Sequence, residues 1–334
     1  MQRLVVLFLL LCSAWGAFAT SPEAPFIERN EVKNFINTMV EKHQFKKAEL
    51  TNLFKTVQIR PQVIANIKKP LEKHPWYFYQ MLFVSDWRIQ HGVEFWNKHA
   101  AALRRAEDLF GVPAGIIVAT IGVETRYGQR NGDFRVIDSL SNIAFSQSPR
   151  AGYFRKELEE FLLLSREQHL NPAKVMGSYA GAIGQPQFMP SSYRYYAINF
   201  SKSGKTDLIN DEVDIIGSVA NYYKKHGWQN NKPVASQATV IGDRYRYLKR
   251  NNQLDQTMTV KQWVRYGILS KSKPNEDQLL AKVIELETKR KKEFWLGYTN
   301  FDVIKRYNSS DLYAMAVHQL SQHITELHNR VNKK

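Results

Sequence analysis

Apolar residues recur at helical spacing over most of the 334-residue chain. A first amphipathic stripe, spaced i, i+3, i+4, i+7 and i+8, contains Val32, Phe35, Ile36, Met39 and Val40. A second stripe contains Phe95, Trp96, His99, Leu103 and Phe110. Both stripes are typical of helices that bury one face, so the pattern predicts a helical lobe spanning residues 26–110.

The middle of the chain stays helical and becomes richer in glycine and aromatic residues. The run Ile116–Ala119, which continues to Ile121, is apolar nearly all round and predicts a helix that is buried on most sides. Pro113 stands where this helix could begin. Asp214 is the expected N-cap of a later helix, which would end in the cationic turn Lys224–Gly227.

Beyond residue 231 the pattern changes. Residues 281–287 alternate in part, and the apolar stretch 293–297 follows across the basic turn Lys289–Lys292, which predicts a β-hairpin. A helical stripe then returns with Tyr313, Ala316, Val317, Leu320, Ile324 and Leu327. We therefore predict a mainly α fold (α+β), with helical regions at 111–231 and 300–334 and a small β-rich subdomain inserted at 232–299.

The first nineteen residues have the order of a secretory signal peptide. Arg3 precedes the apolar run Leu4–Leu11, and small residues lead to the cleavage-like sequence Ala17–Ala19. A membrane span needs about 20 predominantly apolar residues, and Ser13 and Gly16 interrupt this one. We therefore expect residues 1–19 to be a signal peptide and the protein to be periplasmic.

Cys12 is the single cysteine of the chain and lies inside this segment. Leu11 precedes it where lipoprotein signals generally carry a small residue, so an ordinary residue of the apolar segment is the better interpretation. Cleavage after Ala19 leaves no cysteine, which excludes a disulfide, a thiol nucleophile and a thiolate metal site in the exported protein.

The chain carries 47 Lys+Arg against 31 Asp+Glu, a net charge of +16. Such a charge favours polyanionic partners, and export disfavours nucleic acid, for which there is no basic tail or base-reading motif. A cell-wall polymer or an anionic membrane surface remains. We expect peripheral association with an anionic membrane, such as the outer membrane, or with other cell-wall enzymes. The histidines lack metal-ligand spacing, so we expect no metal site. We also expect that the protein needs no cofactor and is a monomer.

The stretch Gly122–Gly128 places a carboxylate, Glu124, at the end of the buried apolar helix. Burial disfavours the charged form, so the pKa of Glu124 is expected to lie above its ordinary value of about 4.3. A carboxylic acid that stays protonated near neutral pH can protonate a glycosidic oxygen. A structural ion pair with Arg126 is the alternative, and on spacing alone both readings stay open.

The stretch Gly177–Tyr193 combines small residues with polar and aromatic groups. Its glycines would let a ligand approach the backbone closely. Ser178 and Gln187 could form hydrogen bonds with that ligand, while Phe188 and Tyr193 offer stacking surface. A tight helix-packing turn would have the same composition.

Four phrases of the chain closely resemble the lytic murein transglycosylase B family: GVETRYG, GSYAGAIGQPQFMPSSY, DIIGSVANYYKKHGW and RYNSSDLYAMAV. They are long and ordered, and they span roughly residues 111–320. The resemblance implies a lysozyme-like helical core, flanked by the helical lobe and carrying the small β subdomain. It also implies non-hydrolytic cleavage of the peptidoglycan β-1,4 bond between N-acetylmuramic acid and N-acetylglucosamine, with Glu124 as acid and then base.

The resemblance further implies that the groove for the glycan strand is lined by Ser178, Gln187, Tyr222, Tyr307 and Asn308. Ser178 or Asn308 would orient the N-acetyl group of the substrate. Arg150 matches a family arginine near the peptide-bearing sugar. The family often has two adjacent arginines there, and Pro149 replaces the first one here. For each tyrosine, core packing with a satisfied hydroxyl is the alternative.

One loop departs from the family. Some members carry a calcium loop where this chain has Asn199–Asp207. Calcium needs several carboxylate oxygens, whereas Asn199 and Ser203 are neutral and two lysines add positive charge, so we predict no tight calcium site. The fragment Gly204–Thr206 resembles part of a P-loop, but Asn199 stands where that motif needs glycine.

Three other functions compete with this interpretation. A hydrolytic muramidase would leave reducing ends instead of 1,6-anhydro ends. An inert peptidoglycan-binding protein would have no need of a buried acid. A serine hydrolase centred on Ser178 is disfavoured, because Gly177–Gly181 does not have the G-x-S-x-G pattern and no histidine is placed as its base.

Overall fold

The computed structural model describes residues 25–67, 73–251, 254–271 and 277–332. The predicted signal peptide, with Cys12, lies outside these residues. Within them the chain forms fifteen α-helices, one short 3₁₀ helix and seven β-strands. The chain divides into two compact units, one ending at Lys55 and the other running from Thr56 to Lys334. The predicted domain boundaries at residues 110, 231 and 299 stay predictions.

The first unit is a small helical cluster. It contains the 3₁₀ helix Phe26–Glu28 and the helices α1 (Asn30–His43) and α2 (Lys47–Lys55). The predicted stripe of α1 is confirmed, since its first four members are buried and only Val40 is half-buried. The rings of Phe35 and Phe54 meet edge to face, 5.9 Å apart, and close the contact between the two helices.

The second unit contains all the other helices. Their bounds are α3 (Pro61–Ile67), α4 (Trp76–Phe83), α5 (Asp86–Lys98), α6 (Ala100–Phe110), α7 (Ala114–Thr125), α8 (Val136–Ala144), α9 (Ala151–Glu167), α10 (Pro190–Tyr196), α11 (Glu212–Lys225), α12 (Arg244–Arg250), α13 (Val260–Val264), α14 (Thr299–Ile304) and α15 (Asp311–Asn332). The second predicted stripe is divided between α5 and α6, because the backbone of His99 leaves the helical region (φ −115°, ψ 23°).

Helix α7 is the centre of this unit. Each of its residues is buried except Glu124, so the predicted all-round burial is confirmed. It packs against α5, α6, α11 and α15. A helix enclosed by four neighbours can carry apolar side chains on every side, which explains why its sequence shows no amphipathic stripe.

The strands form two antiparallel sheets. Their bounds are β1 (Phe134–Arg135), β2 (Met176–Gly177), β3 (Ala235–Val240), β4 (Met258–Thr259), β5 (Ile268–Ser270), β6 (Leu280–Glu287) and β7 (Lys292–Gly297). Strands β1 and β2 form a short pair, and the other five lie in the order β4-β6-β7-β3-β5. The predicted hairpin is confirmed, since β6 pairs with β7 and places Ile284 opposite Trp295.

The five-stranded sheet has its own buried cluster. Trp263 of α13 is fully buried there with Leu248 of α12 and Leu296 of β7. The Trp263 indole donates a hydrogen bond of 2.9 Å to the carbonyl of Ala281, so its polar atom is satisfied inside the apolar cluster. The expected mainly α fold with a small β part is therefore the fold that the chain adopts.

Asn300, at the base of this β-rich segment, joins its two ends. Its side chain is fully buried. The amide nitrogen donates to the carbonyls of Gln229 and Lys232, and the amide oxygen accepts from the Gln229 N–H, at 2.8–2.9 Å. One side chain thus fixes the point where the chain leaves the helices and the point where it returns.

The predicted N-cap of α11 is wrong by three residues. The carboxylate of Asp211, not that of Asp214, accepts from the first N–H groups of the helix. Asp214 is buried in the first turn, where its two oxygens accept from the N–H groups of Ser201 and Asp207. Asp214 therefore holds a loop to the helix instead of capping it. The predicted cationic end is confirmed, with Lys225 as the last residue.

Within the described residues, no single helix is long and apolar enough to cross a membrane. Helices α6 and α7 meet the length and composition requirement together, but they are bent by 114° where they join.

His318 of α15 makes the stability of the fold depend on pH. Burial lowers the pKa of His318 to about 4, and its ring lies edge to face with that of Trp295. In the unfolded chain the same imidazole has a pKa of about 6.5. Between pH 6.5 and pH 4 the unfolded chain therefore binds more protons than the folded chain. Because of this difference, the stability that is present above pH 6.5 is lost as the pH falls. We expect the free energy of unfolding to fall by up to about 3 kcal/mol from pH 7 to pH 4 through this residue.

Denaturant unfolding of His318→Leu across this pH range measures the effect. This variant should lose most of the pH-dependence assigned to the site, while substitution of the exposed His323 to Leu should keep it. Equal pH-dependence in the wild type and in the His318 variant would contradict the assignment.

Candidate active site

Glu124 lies in the last turn of α7, and its side chain is only partly buried. The hydroxyl of Tyr313, in the first turn of α15, donates a hydrogen bond of 2.6 Å to Glu124 Oε1. Because α7 and α15 pack against each other, the donor and the carboxylate sit on two fixed elements. The site therefore presents one positioned carboxyl group at the end of a buried helix.

Hydrogen bonds hold the turn after Glu124 to the glycine-rich segment Gly177–Tyr193. Thr125 Oγ1 donates to the carbonyl of Gln185 at 2.9 Å and accepts from the N–H of Gly128 at 3.1 Å. Gly128 has φ +82°, and a Cβ atom there would lie 2.7 Å from the Gln185 side chain. The glycine is thus required both for its backbone angle and for the close approach of Gln185.

A second set of hydrogen bonds, made by Tyr127 and Arg88, holds the same helix end. The Tyr127 hydroxyl donates to the carbonyl of Arg88 at 2.6 Å, and Arg88 Nε donates to the carbonyl of Gly122 at 3.0 Å. A Cβ atom on Gly122 would lie 2.5 Å from the Tyr127 hydroxyl, so the glycine lets the tyrosine lie against the helix. Burial lowers the pKa of Arg88 and raises that of Tyr127.

Arg126 has a left-handed backbone (φ +54°), and its guanidinium lies 4.1 Å from the centre of the Trp87 ring. The planar face of the arginine is thus stacked on an aromatic ring. The described hydrogen bond of Glu124 goes to Tyr313. The described contacts of the two side chains, which the sequence allowed to pair, thus go to Trp87 and to Tyr313.

Aromatic rings lead from Glu124 to the predicted binding residues. The Tyr307 ring lies 6.3 Å from that of Tyr313 and 4.8 Å from that of Tyr222, and Phe188 lies 5.4 Å from Tyr222. Burial, and then the charge of Glu124, raise the pKa of both Tyr307 and Tyr313 well above the ordinary value. These phenols therefore stay neutral at any physiological pH.

The hydroxyls of the two predicted binding tyrosines donate to the backbone. Tyr222 donates to the carbonyl of Arg306 at 2.6 Å, and Tyr307 donates to that of Pro186 at 2.5 Å. Tyr307 thereby joins the chain around Arg306 to the glycine-rich segment. Tyr222 is also buried, whereas Tyr307 is half-buried, so what a ligand could contact here is chiefly the ring of Tyr307.

Ser178 and Gln187 form hydrogen bonds that shape the same segment. Ser178 Oγ accepts from the N–H groups of Ala180 and Ala182 at 3.3 and 3.0 Å. Gln187 has φ +50°, and its Nε2 donates to the carbonyls of Asn131 and Gly184. Both side chains are partly exposed, so each shapes the turn and still reaches the surface.

Asn308 and Arg150 are the last two predicted site residues. Asn308 directly follows Tyr307, and its Oδ1 accepts from the N–H of Ser310 at 3.2 Å. The exposed Arg150 stands at the N-cap of α9, with its guanidinium 5.1 Å from the Tyr153 ring. The described contacts thus connect Glu124 with Tyr222 and Tyr307, and the chain itself connects Asn308 and Gln187 to them. Arg150 contacts its own helix.

Sequence reasoning missed Tyr313 and Thr125 as parts of the site. Tyr313 was predicted only as one member of the apolar stripe of α15. Its tyrosine hydroxyl, in an otherwise apolar stripe, is the signal that could have identified it, because a buried phenol usually has a hydrogen-bond partner. Thr125 offered no signal beyond its place next to Glu124.

Asp138 is a structural residue, as its contacts show. Its carboxylate is fully buried, and the Arg135 guanidinium donates to both oxygens at 2.9 and 2.7 Å. The N–H of Gln58 also donates to it. Neighbouring donors thus hold both oxygens of this carboxylate, as a structural role requires.

The carboxylates of Asp207 and Asp214 in the loop Asn199–Asp214 form hydrogen bonds with the backbone of that loop. The carboxylate of Asp207 accepts from the N–H groups of Ile209 and Asn210, and that of Asp214 accepts from two further N–H groups. Burial alone raises the pKa of Asp207, but the Asn210 and Ile209 N–H donors outweigh it and lower that pKa. The prediction that this loop holds no tight calcium site therefore stays a prediction.

Known proteins resemble this chain along most of its length. The family described as "Transglycosylase SLT domain" matches residues 28–322. The membrane-bound lytic murein transglycosylase B of Escherichia coli (strain K12) is 38% identical over 317 residues, which cover 92% of this chain and 84% of that protein.

Solved structures agree with this. The soluble lytic transglycosylase SltB1 from Pseudomonas aeruginosa is 40% identical, with a TM-score of 0.82 over 91% of this chain and 100% of that chain. The Escherichia coli lytic transglycosylase Slt35 in complex with calcium is 36% identical, with a TM-score of 0.81 over 90% of this chain and 94% of that chain. The chain therefore belongs to the lytic transglycosylases of the SLT-domain family.

Proposed function

We propose that this chain is a peptidoglycan lytic transglycosylase, in which Glu124 acts first as the acid and then as the base. The reaction is cleavage of the β-1,4 bond between N-acetylmuramic acid and N-acetylglucosamine, without water, to give 1,6-anhydromuramic acid ends. The observation that carries the proposal is the single carboxyl group at the end of α7, which accepts from Tyr313 and lies on a helix that is otherwise buried throughout.

The first step needs a proton donor. The protonated Glu124 gives its proton to the bridging oxygen as the bond between that oxygen and C1 of the muramic acid breaks. The N-acetylglucosamine side then leaves with a hydroxyl group. The positive charge that develops at C1 is shared by the N-acetyl group of the same sugar, which replaces a second carboxylate.

The second step needs a base at the same place. The ionised Glu124 takes the proton from the C6 hydroxyl of the muramic acid, and O6 bonds to C1 to close the anhydro ring. Glu124 is protonated again at the end, and no co-reactant is consumed. Because the nucleophile belongs to the same sugar, it starts with a large proximity advantage over water. A muramidase would act on the same sugar, so what favours the transglycosylase over it is the similarity of the chain to lytic transglycosylases.

The remaining predicted residues are proposed to hold the glycan strand. Tyr307 would provide ring surface near Glu124, and Tyr222 would support it from the core, since their rings lie 4.8 Å apart and their hydroxyls donate to the backbone. Ser178 or Asn308 would orient the N-acetyl group, and Gln187 would bind the strand from the glycine-rich segment. Arg150 would meet the peptide-bearing sugar, where its exposed guanidinium suits a carboxylate.

We also propose that the protein is a monomer and that it works in the periplasm, where its substrate is found. The envelope relatives and the signal-like first nineteen residues support this location. The second candidate function is that of a peptidoglycan-binding protein without catalytic activity. The Tyr313 hydrogen bond to the carboxylate argues for catalysis, since a binding surface would have no use for one positioned acid.

Glu124→Gln should lower the rate of glycan cleavage by at least about 10³-fold, because the amide can neither give nor take the proton. The isosteric amide can still accept from Tyr313, so Tm should change by less than about 3 °C. Release of fragments from purified sacculi measures the rate. Turnover within tenfold of the wild type would refute the role of Glu124.

The products distinguish the reaction classes. Mass spectrometry of fragments released from sacculi should show 1,6-anhydromuramic acid ends, which lack one water relative to reducing ends. Reducing ends alone would identify a muramidase, and no fragments at all, with retained binding to sacculi, would identify a binder.

Tyr313→Phe should lower kcat roughly tenfold or more with little change in KM, because it removes a hydrogen bond to a charged group and leaves the ring in place. The ionised carboxyl loses a donor, so the alkaline limb of the pH–activity profile should move to higher pH. Tyr195→Phe, at an exposed tyrosine, is the matched control. A rate loss without movement of the alkaline limb would show that Tyr313 is only a packing residue.

A further inference from the structure

The β-rich segment presents a strongly basic surface that the proposed reaction does not use. We define the basic face as nine exposed cations on α12, after α13 and in the turn between β6 and β7: Arg244, Arg246, Lys249, Arg250, Arg265, Lys289, Arg290, Lys291 and Lys292. The described carboxylates of the same segments are those of Asp243, Glu285, Glu287 and Glu293. Nine cations against four carboxylates leave a large positive excess.

Contacts show that these residues form one surface. Glu285 accepts from both Lys249 and Lys292, which joins α12 to the hairpin. The Arg244 guanidinium donates to the carbonyl of Arg265 at 3.2 Å, which joins α12 to the end of α13. An open cavity of about 700 Å³ lies between α12 and the hairpin, beside Arg246. The positive charge is therefore concentrated on one side of the sheet.

Large apolar side chains stand among the cations. Ile241 and Tyr247 are each 61% exposed, and Val264 is 47% exposed. Tyr247 lies on the outer side of α12, between Arg244 and Arg250 in the helical projection, because Leu248 and Tyr245 face the sheet. The N–H of Ile241 donates to the carbonyl of Gly267, and the N–H of Gly267 donates to that of Val264, so the two apolar residues are neighbours.

This combination identifies the kind of partner. A hydrated anionic polymer would pair with the cations but would leave Ile241, Tyr247 and Val264 in water. A bilayer offers phosphate groups at its surface and an apolar layer directly beneath, so it satisfies both sets of side chains. Tyrosine is well suited to that boundary because its ring is apolar and its hydroxyl is polar.

We propose that the basic face docks on an anionic phospholipid bilayer, with Ile241, Tyr247 and Val264 entering the headgroup layer. The docking is peripheral and reversible. It is independent of the catalytic role of Glu124, since none of these residues belongs to the active site.

Co-sedimentation with vesicles tests the proposal, using the chain from Thr20 onward so that the apolar N-terminus does not itself insert. Vesicles of phosphatidylglycerol and phosphatidylcholine in equal parts should bind the protein, and pure phosphatidylcholine should not. Arg246→Glu with Arg250→Glu should weaken binding by at least about tenfold, since each basic residue near such a surface contributes about a factor of five or more. Tyr247→Ala should weaken binding with the charge unchanged.

The matched control is Arg104→Glu with Lys156→Glu, which changes the net charge equally at exposed positions outside the basic face. It should bind within about twofold of the wild type, and all variants should keep the wild-type Tm. An equal loss of binding in the control would show that only net charge matters and would overturn the proposal. Unchanged vesicle binding by the Arg246/Arg250 variant would also overturn it. So would a variant that loses binding to purified sacculi but keeps binding to vesicles.

Discussion

One constraint governs the site: a carboxyl group must be held at the end of a helix that has no exposed face. Helix α7 is enclosed by four neighbours, and Glu124 is its one residue that reaches the surface. A displacement of that helix would disturb the packing on every side. The backbone that carries the Glu124 carboxyl group is therefore as rigid as the core around it. The hydrogen bond from Tyr313 then selects one orientation of the side chain.

The surroundings of Glu124 are rigid for a related reason. The hydroxyls of Tyr222 and Tyr307 donate to backbone carbonyls of other segments, so their rings are held in place and join segments that are far apart in the chain. Thr125 does the same with a much smaller side chain. Buried polar groups that are fully paired specify one arrangement, whereas unpaired ones would cost stability.

Much of this could be predicted from the sequence, because the relevant signals are local. An apolar run without a stripe indicated the buried helix, and its only carboxylate indicated the acid. Alternation across a basic turn indicated the hairpin of β6 and β7, whose pairing is as expected. The partners of side chains were not predictable, since they depend on contacts between distant segments. Asp214 has the sequence position of a cap but is drawn to Ser201 and Asp207, and Tyr313 has the spacing of a core residue but faces Glu124.

The bonds of Asn300 have a consequence for how such a chain can be altered. Because one buried amide holds residues 229, 232 and 300 together, the two ends of the β-rich segment are neighbours in space. A segment whose ends meet can be shortened, lengthened or exchanged without stretching the structure that receives it. The fold thus allows the basic face to diversify among descendants of this chain while the machinery around Glu124 stays as it is.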